Sequence, residues 1–262
     1  MADGLTELMQ QARSARGSQL ETLLYHRSRE VLDALLENTT LTEQHVGILL
    51  ARKDLPRETL IAVSKRRDWM QSYSLKVAVL KHPHTPRHIA VPLLKFIYPF
   101  DLLQIASTPG ISPELKRLIE DSLLTHLEGL ALGQRISLAR RGLQRITGGL
   151  LNDADRRVIE AALENPGLTE QAVAAALLID GAGPNLTEVI LASSRWCSRR
   201  PVRLALLRSK HLSLARFASI LPELSMGDLK DLADDPRIAS NLRAYVAKLI
   251  QKRSARRKEK EV

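Results

Sequence analysis

Apolar residues along this chain come in short bursts with the spacing of a helix rather than of a strand. Between Val31 and Asn38, the residues Val31, Leu32, Leu35 and Leu36 occupy positions i, i+1, i+4 and i+5, a single stripe on one helical face. No stretch alternates polar and apolar residues for long enough to demand a strand. Start signals punctuate the bursts. Thr42-Glu43 and Thr169-Glu170 read as N-caps with an acidic first turn, Thr85-Pro86 as an N-cap followed by proline at the first helical position, and Ser112-Pro113-Glu114 as the same device. Pro92 falls inside the helical pattern from Ile89 to Phe96, where it kinks a helix or marks its real start. The pattern predicts an all-α protein of short helices joined by loops of a few residues.

The pattern also occurs twice. The segment Arg29–Val46 matches Arg156–Val173 at an offset of 127 residues. The offset holds at Trp69 and Trp196, Ala78 and Ala205, Leu80 and Leu207, His84 and His211, and through the segments that begin at Asp101 and Asp228. About a quarter of the positions in 12–123 are identical in 139–250. Around 53–68 the register slips by one, aligning Pro56 with Pro184 and Thr59 with Thr187. Both tryptophans of the chain fall on one repeat position, which chance explains poorly. The expected organisation is a first helical copy at 1–128, a second at 129–250 and a basic tail at 251–262. Short helices cannot bury their stripes singly, so neighbours must stack. The expected architecture is therefore an α-solenoid of antiparallel helices, continuous across the two copies.

Asn165–Val173 reads N-P-x-L-T-E-x-x-V, His82–Pro86 reads H-P-x-T-P, and D-L-x-x-[IL]-A recurs at Asp101 and Asp228. These segments resemble bacterial HEAT-like or leucine-rich-variant helical repeats, over roughly residues 29–250. The resemblance rests on packing motifs. It implies a binding scaffold in most members and a HEAT-like alkylpurine DNA glycosylase in a minority.

Composition narrows the chemistry. Hydrophobic residues are 44% of the 262 and charged residues 26%, enough for a sizeable core, while 3% aromatics are few for a β-sandwich. Cys197 is the one cysteine, which excludes an internal disulfide framework and a multi-cysteine zinc site. The start MADGLTELMQQ lacks a secretory apolar segment, and no run approaches the roughly 18 apolar residues of a membrane span. A soluble cytoplasmic protein with no membrane partner is expected. Nucleophile-elbow, Walker and H-E-x-x-H motifs are missing. Gly181–Gly183 superficially resembles a dinucleotide turn, but its counterpart in the first copy is a helix and a charged loop. His82, His84 and His88 form H-x-H-x3-H, yet only His84 has a counterpart, His211, so the shared position reads as structural. Asp234-Asp235 aligns with Ser107-Thr108 and reads as a turn, and Cys197 aligns with Met70 and reads as packing. No metal, cofactor, small-molecule ligand or catalytic residue is expected.

Charge carries the functional signal. There are 39 basic and 29 acidic residues, a net +10. Window 64–83 has five basic residues and one acidic, its counterpart 191–210 has six and none, and outside these windows and the tail the chain is net acidic. The binding positions this selects are Arg66, Arg67, Trp69 and Lys76 in the first copy, and Arg195, Trp196, Arg199, Arg200 and Arg203 in the second. Repetition at matched positions predicts a basic stripe on one face with a tryptophan available for stacking. Tryptophan in a helical repeat is a core anchor in most cases, and that reading stands beside the stacking one. The expected function is a non-enzymatic scaffold that recognises an acidic protein. Nucleic-acid binding, including a glycosylase, is the alternative.

Overall fold

Local caps set the helix starts. Thr42 and Thr169 are N-caps whose side chains accept the backbone N–H of His45 and Ala172, and Ser112 caps a helix that opens with Pro113. The start near Thr85 differs from expectation by one residue. Pro86 takes the N-cap position, and the Thr85 hydroxyl instead donates back to the Val79 carbonyl. Pro92 lies inside the same helix, which ends two residues later at Leu94. Removing an N–H and crowding the preceding turn is consistent with that early stop.

The computed structural model describes residues 2–258. Among these, every regular element is a helix and there is no strand. The chain divides into two compact units, Met1–Glu128 and Gly129–Val262. The first holds α1 (Ala2–Ser14), α2 (Gly17–Leu23), α3 (Arg29–Leu36), α4 (Glu43–Ala51), α5 (Arg57–Lys65), α6 (Tyr73–Lys81), α7 (Arg87–Leu94), α8 (Pro99–Ala106) and α9 (Pro113–His126). The second holds α10 (Leu132–Arg141), α11 (Gln144–Leu150), α12 (Arg156–Leu163), α13 (Glu170–Leu177), α14 (Pro184–Ala192), the single-turn α15 (Ser194–Cys197), α16 (Arg200–Arg208), α17 (Leu214–Ile220), α18 (Met226–Asp234) and α19 (Ser240–Lys258). Most of the basic tail continues α19, and residues 259–262 lie outside the described residues. No helix among the described residues is long and apolar enough to cross a membrane.

Within each unit, alternate helices pack on one another: α1 on α3, α3 on α5 and α4 on α6, then α10 on α12, α12 on α14 and α13 on α16. Every helix start from α2 to α9 recurs 127 residues later, from Gly17 and Gln144 through to Pro113 and Ser240. The register slip suggested by Pro56 and Thr59 does not occur. Arg57 and Pro184 open matching helices, and buried Thr59, Leu60 and Val63 fall on buried Leu186, Thr187 and Ile190 at the constant offset.

Side chains that satisfy the ends of earlier helices recur at the same offset. Asn38 Nδ2 donates to the Ala12 and Ala15 carbonyls at 2.8 and 2.9 Å. Its counterpart Asn165 donates to the Ala139 and Gly142 carbonyls at 2.9 and 3.1 Å. His84 bonds the Leu55 carbonyl and His211 the equivalent Ala182 carbonyl. The two asparagines are buried. Asn38→Ala and Asn165→Ala should each lower stability in urea unfolding by about 1–3 kcal/mol, because in one the Ala12 carbonyl loses its side-chain donor and in the other the Thr147 hydroxyl alone cannot serve both the Ala139 and Gly142 carbonyls. Asn38→Asp should cost at least as much, since a carboxylate cannot donate. Unchanged midpoints for all three variants would show that water replaces these bonds freely.

Candidate functional site

The nine positions selected from the two basic windows separate into four groups by their surroundings. Arg67 is exposed, and no ion pair or hydrogen bond engages it among the described residues. Arg66 is engaged three ways: its guanidinium pairs with Asp68 at 2.7 Å, donates to the Leu36 carbonyl at 3.1 Å and lies 4.2 Å from the Trp69 ring centre. Arg195 is exposed and lies 4.9 Å from the Trp196 ring centre. A cavity of about 290 Å³ opens beside it, lined by Arg195, Trp196, Leu163 and Val189 among others.

The remaining arginines are matched by carboxylates from distant parts of the same unit. Arg199 pairs with Glu170 at 3.1 Å, Arg200 with Asp228 at 2.6 Å and Arg203 with Glu223 at 3.2 Å. Beyond them, Arg208 pairs with Asp235 at 2.6 Å, and Lys210 lies 3.9 Å from Asp180. The acid-free window 191–210 is therefore acid-free only along the chain. The Asp228 side chain is 4% exposed, and the Arg200 guanidinium beside it holds its carboxyl below the usual carboxylate range. Asp235 is held well below that range, first by Arg237 and then by Arg208.

Trp69 and Trp196 are 8% and 3% exposed. Their burial supports the core-anchor reading. Trp196 Nε1 donates to the Leu163 carbonyl at 3.0 Å. Leu36, at the equivalent place in the first unit, receives the Arg66 bond instead. The two rings thus occupy one repeat position while different groups satisfy the neighbouring helix end.

Lys76 leads to residues that the sequence reading passed over. Its ammonium lies 5.1 Å from the ring centre of Phe96. One turn earlier on α6, Tyr73 meets Tyr98 with ring centres 5.1 Å apart and planes tilted by 43°. The Tyr73 hydroxyl donates to Asp101 and accepts the Tyr98 backbone N–H. Phe96, Tyr98 and Phe100 are 61%, 68% and 41% exposed. A signal for them existed: in a chain with 3% aromatics, three fall within residues 96–100. Lys76 itself has no carboxylate partner among the described residues. Nearby Glu43 is held by the hydroxyls of Ser72 and Ser74, which lower its pKa.

The histidines of the 82–88 cluster do other work. Buried His82 bonds the Arg52 carbonyl through Nε2 and accepts the His84 N–H at Nδ1, and burial pushes its pKa down. No group of three potential metal ligands occurs among the described residues. No protein-family model, curated protein or solved structure matches this chain, so its function has to be argued from its own residues.

The ion pairs make a stability forecast. Arg200→Glu would set two carboxylates together where Asp228 is buried, and should lower the urea midpoint of unfolding. Screening at the exposed arginine trims the value of a fully buried pair. Arg67→Glu should leave stability nearly unchanged. Because Asp228 and Asp235 have depressed folded-state pKa values, their contribution is present above the unfolded carboxylate range and is lost as pH falls through the folded values. Acid unfolding of Asp235→Asn should accordingly show a shallower pH dependence than the parent. An equal slope would mean this cluster does not control acid stability.

Proposed function

We propose that this protein is a non-enzymatic helical-repeat binding scaffold, an α-solenoid built by tandem duplication, and that it recognises an acidic protein. One observation carries this reading: matched positions keep the same framework but vary the chemistry at its surface. The framework pairs are Asn38 and Asn165, and His84 and His211, each reaching the same backbone carbonyls in its own unit. At the surface, Tyr73–Asp101 becomes Arg200–Asp228, and Lys76–Phe96 becomes Arg203–Glu223. A repeated frame with a changing surface suits recognition, since stacked repeats leave their outer positions free to specialise.

The net +10 favours an acidic partner. Nucleic acid is the second reading, and one observation favours it: residues 129–262 hold 23 basic against 14 acidic side chains. Protein is preferred because arginines of the second window are already neutralised internally, and both tryptophans are buried.

Salt separates the two readings. Fluorescence anisotropy with a labelled 20-nucleotide oligothymidylate and a random-sequence duplex should show any binding at about 50 mM salt collapsing by about 200 mM, as counterion release demands of non-specific contacts. A genuine protein partner, recovered by crosslinking, should remain bound at the higher salt. Tight oligonucleotide binding retained at about 200 mM, without a salt-resistant protein partner, would turn the assignment to nucleic acid.

A further inference from the structure

The geometry points to the aromatic surface of Tyr73, Lys76, Phe96, Tyr98 and Phe100 as the docking site for a short partner segment that carries an apolar side chain beside a carboxylate. This rests on the binding-scaffold reading and deepens it by naming a site and the chemistry of what occupies it.

The exposed rings are not needed by the framework. The positions equivalent to Tyr73, Lys76, Phe96, Tyr98 and Phe100 in the second unit are Arg200, Arg203, Glu223, Ser225 and Gly227. That unit builds matching helix starts without an aromatic ring at any of these places: Arg200 and Ser225 meet at Asp228, Arg203 pairs with Glu223, and Gly227 has no side chain. Aromatic side chains at these places in the first unit expose apolar surface without a folding requirement for it. Nor is the surface loose. Tyr73, between Asp101 and the Tyr98 N–H, ties α6 to the start of α8 and holds the Tyr98 backbone in place. Rings held before binding lose little entropy when a partner arrives.

Size and charge identify the occupant. From the ordinary areas of aromatic side chains, Phe96, Tyr98 and Phe100 offer on the order of 300–400 Å². An exposed apolar patch of a few hundred Å² is the scale of an interaction site, but it is well short of the roughly 800 Å² per partner of a stable protein–protein interface. A second copy of the chain is therefore disfavoured, and a short segment fits. Single-stranded nucleic acid is disfavoured on two grounds. Residues 1–128 are nearly neutral, with 16 basic against 15 acidic side chains. Tyr73 and Tyr98 are also tilted against each other and Lys76 lies over Phe96, rather than these faces being open and parallel for bases. Lys76 supplies the polar half of the site. Glu43 and Asp101 are engaged by hydroxyls, so the ammonium is left to a carboxylate from outside.

The test is a random-peptide display selection against the full chain, followed by affinity measurements on the enriched synthetic peptides. Enriched peptides should place an aromatic or large aliphatic residue next to Asp or Glu. They should bind the Phe96→Glu/Tyr98→Ser double variant at least about tenfold more weakly than the parent, as loss of anchor contacts predicts. That variant installs the residue types found at the matched positions of the second unit, where Glu223 meets the Lys76 counterpart Arg203, so its helical circular dichroism and melting curve should match the parent. Lys76→Gln should weaken acidic peptides several-fold more than their Asn and Gln analogues. Peptides that bind the double variant as tightly as the parent would overturn the site while leaving the scaffold reading intact. Equal losses for acidic and amide peptides would overturn the carboxylate assignment. No enrichment, together with salt-resistant oligothymidylate binding, would defeat both this site and the protein-partner reading. Dimerisation in sedimentation that the double variant abolishes would give the surface to a second copy instead.

Discussion

Helices of seven to nine residues cannot satisfy their own backbone, because the last four carbonyls of any α-helix lack an internal partner and here that is about half of each helix. The protein meets this constraint with side chains that arrive from 23 or more residues further along the chain. Asn38 reaches the end of α1, Arg52 the carbonyls of Leu24 and His26, His82 the Arg52 carbonyl, and Arg253 the carbonyls of Leu221 and Leu224. Each such bond contributes about 1 kcal/mol, and leaving a buried carbonyl unmet costs as much or more. Neighbouring helices are thereby fixed in register as well as packed. Apolar contact alone is non-directional and would let short rods slide.

That constraint separates two kinds of position. Some that reach back to a helix end are matched in both units, as Asn38 is by Asn165, while others are met in one unit only, as by Arg52, whose counterpart is Ile179. At the Leu36 and Leu163 carbonyls the donor changes from Arg66 to Trp196, while the need for a donor persists. Positions along α6 and α16 are less uniform: Arg203 still reaches the Cys197 and Ser198 carbonyls, whereas Lys76 lies against Phe96. They carry an aromatic surface around Lys76 in one unit and a network of arginines and carboxylates in the other.

The arginine network illustrates why charge read along a chain misleads. Exposed ion pairs such as Arg199–Glu170 contribute little to stability, but they still consume the charge on which an electrostatic binding site would depend. Arg200–Asp228 goes further, since a nearly buried carboxylate needs its cation and hydrogen bonds to remain ionised. Within residues 191–210, Arg199 and Arg200 stay exposed, yet both are paired with carboxylates from elsewhere in the second unit.

Residues within four positions of one another decided what was legible in the sequence. Helix class, the caps at Thr42, Thr169 and Ser112, and the 127-residue recurrence all follow from local spacing, because helical hydrogen bonds and caps span three or four residues. Trp69 and Trp196 could be aligned by sequence, but whether their rings faced solvent depended on helices brought in from elsewhere. Glu170, Glu223 and Asp228 lie between 20 and 29 residues from the arginines they neutralise, so no window along the chain contained both partners. Phe96, Tyr98 and Phe100 were visible as a cluster of aromatics, yet a hydrophobic residue in a helical protein is core by default. Only the packing of α6 against the start of α8 left those rings outside, since a helix buries the one face its neighbours cover and the neighbours are set by tertiary contacts.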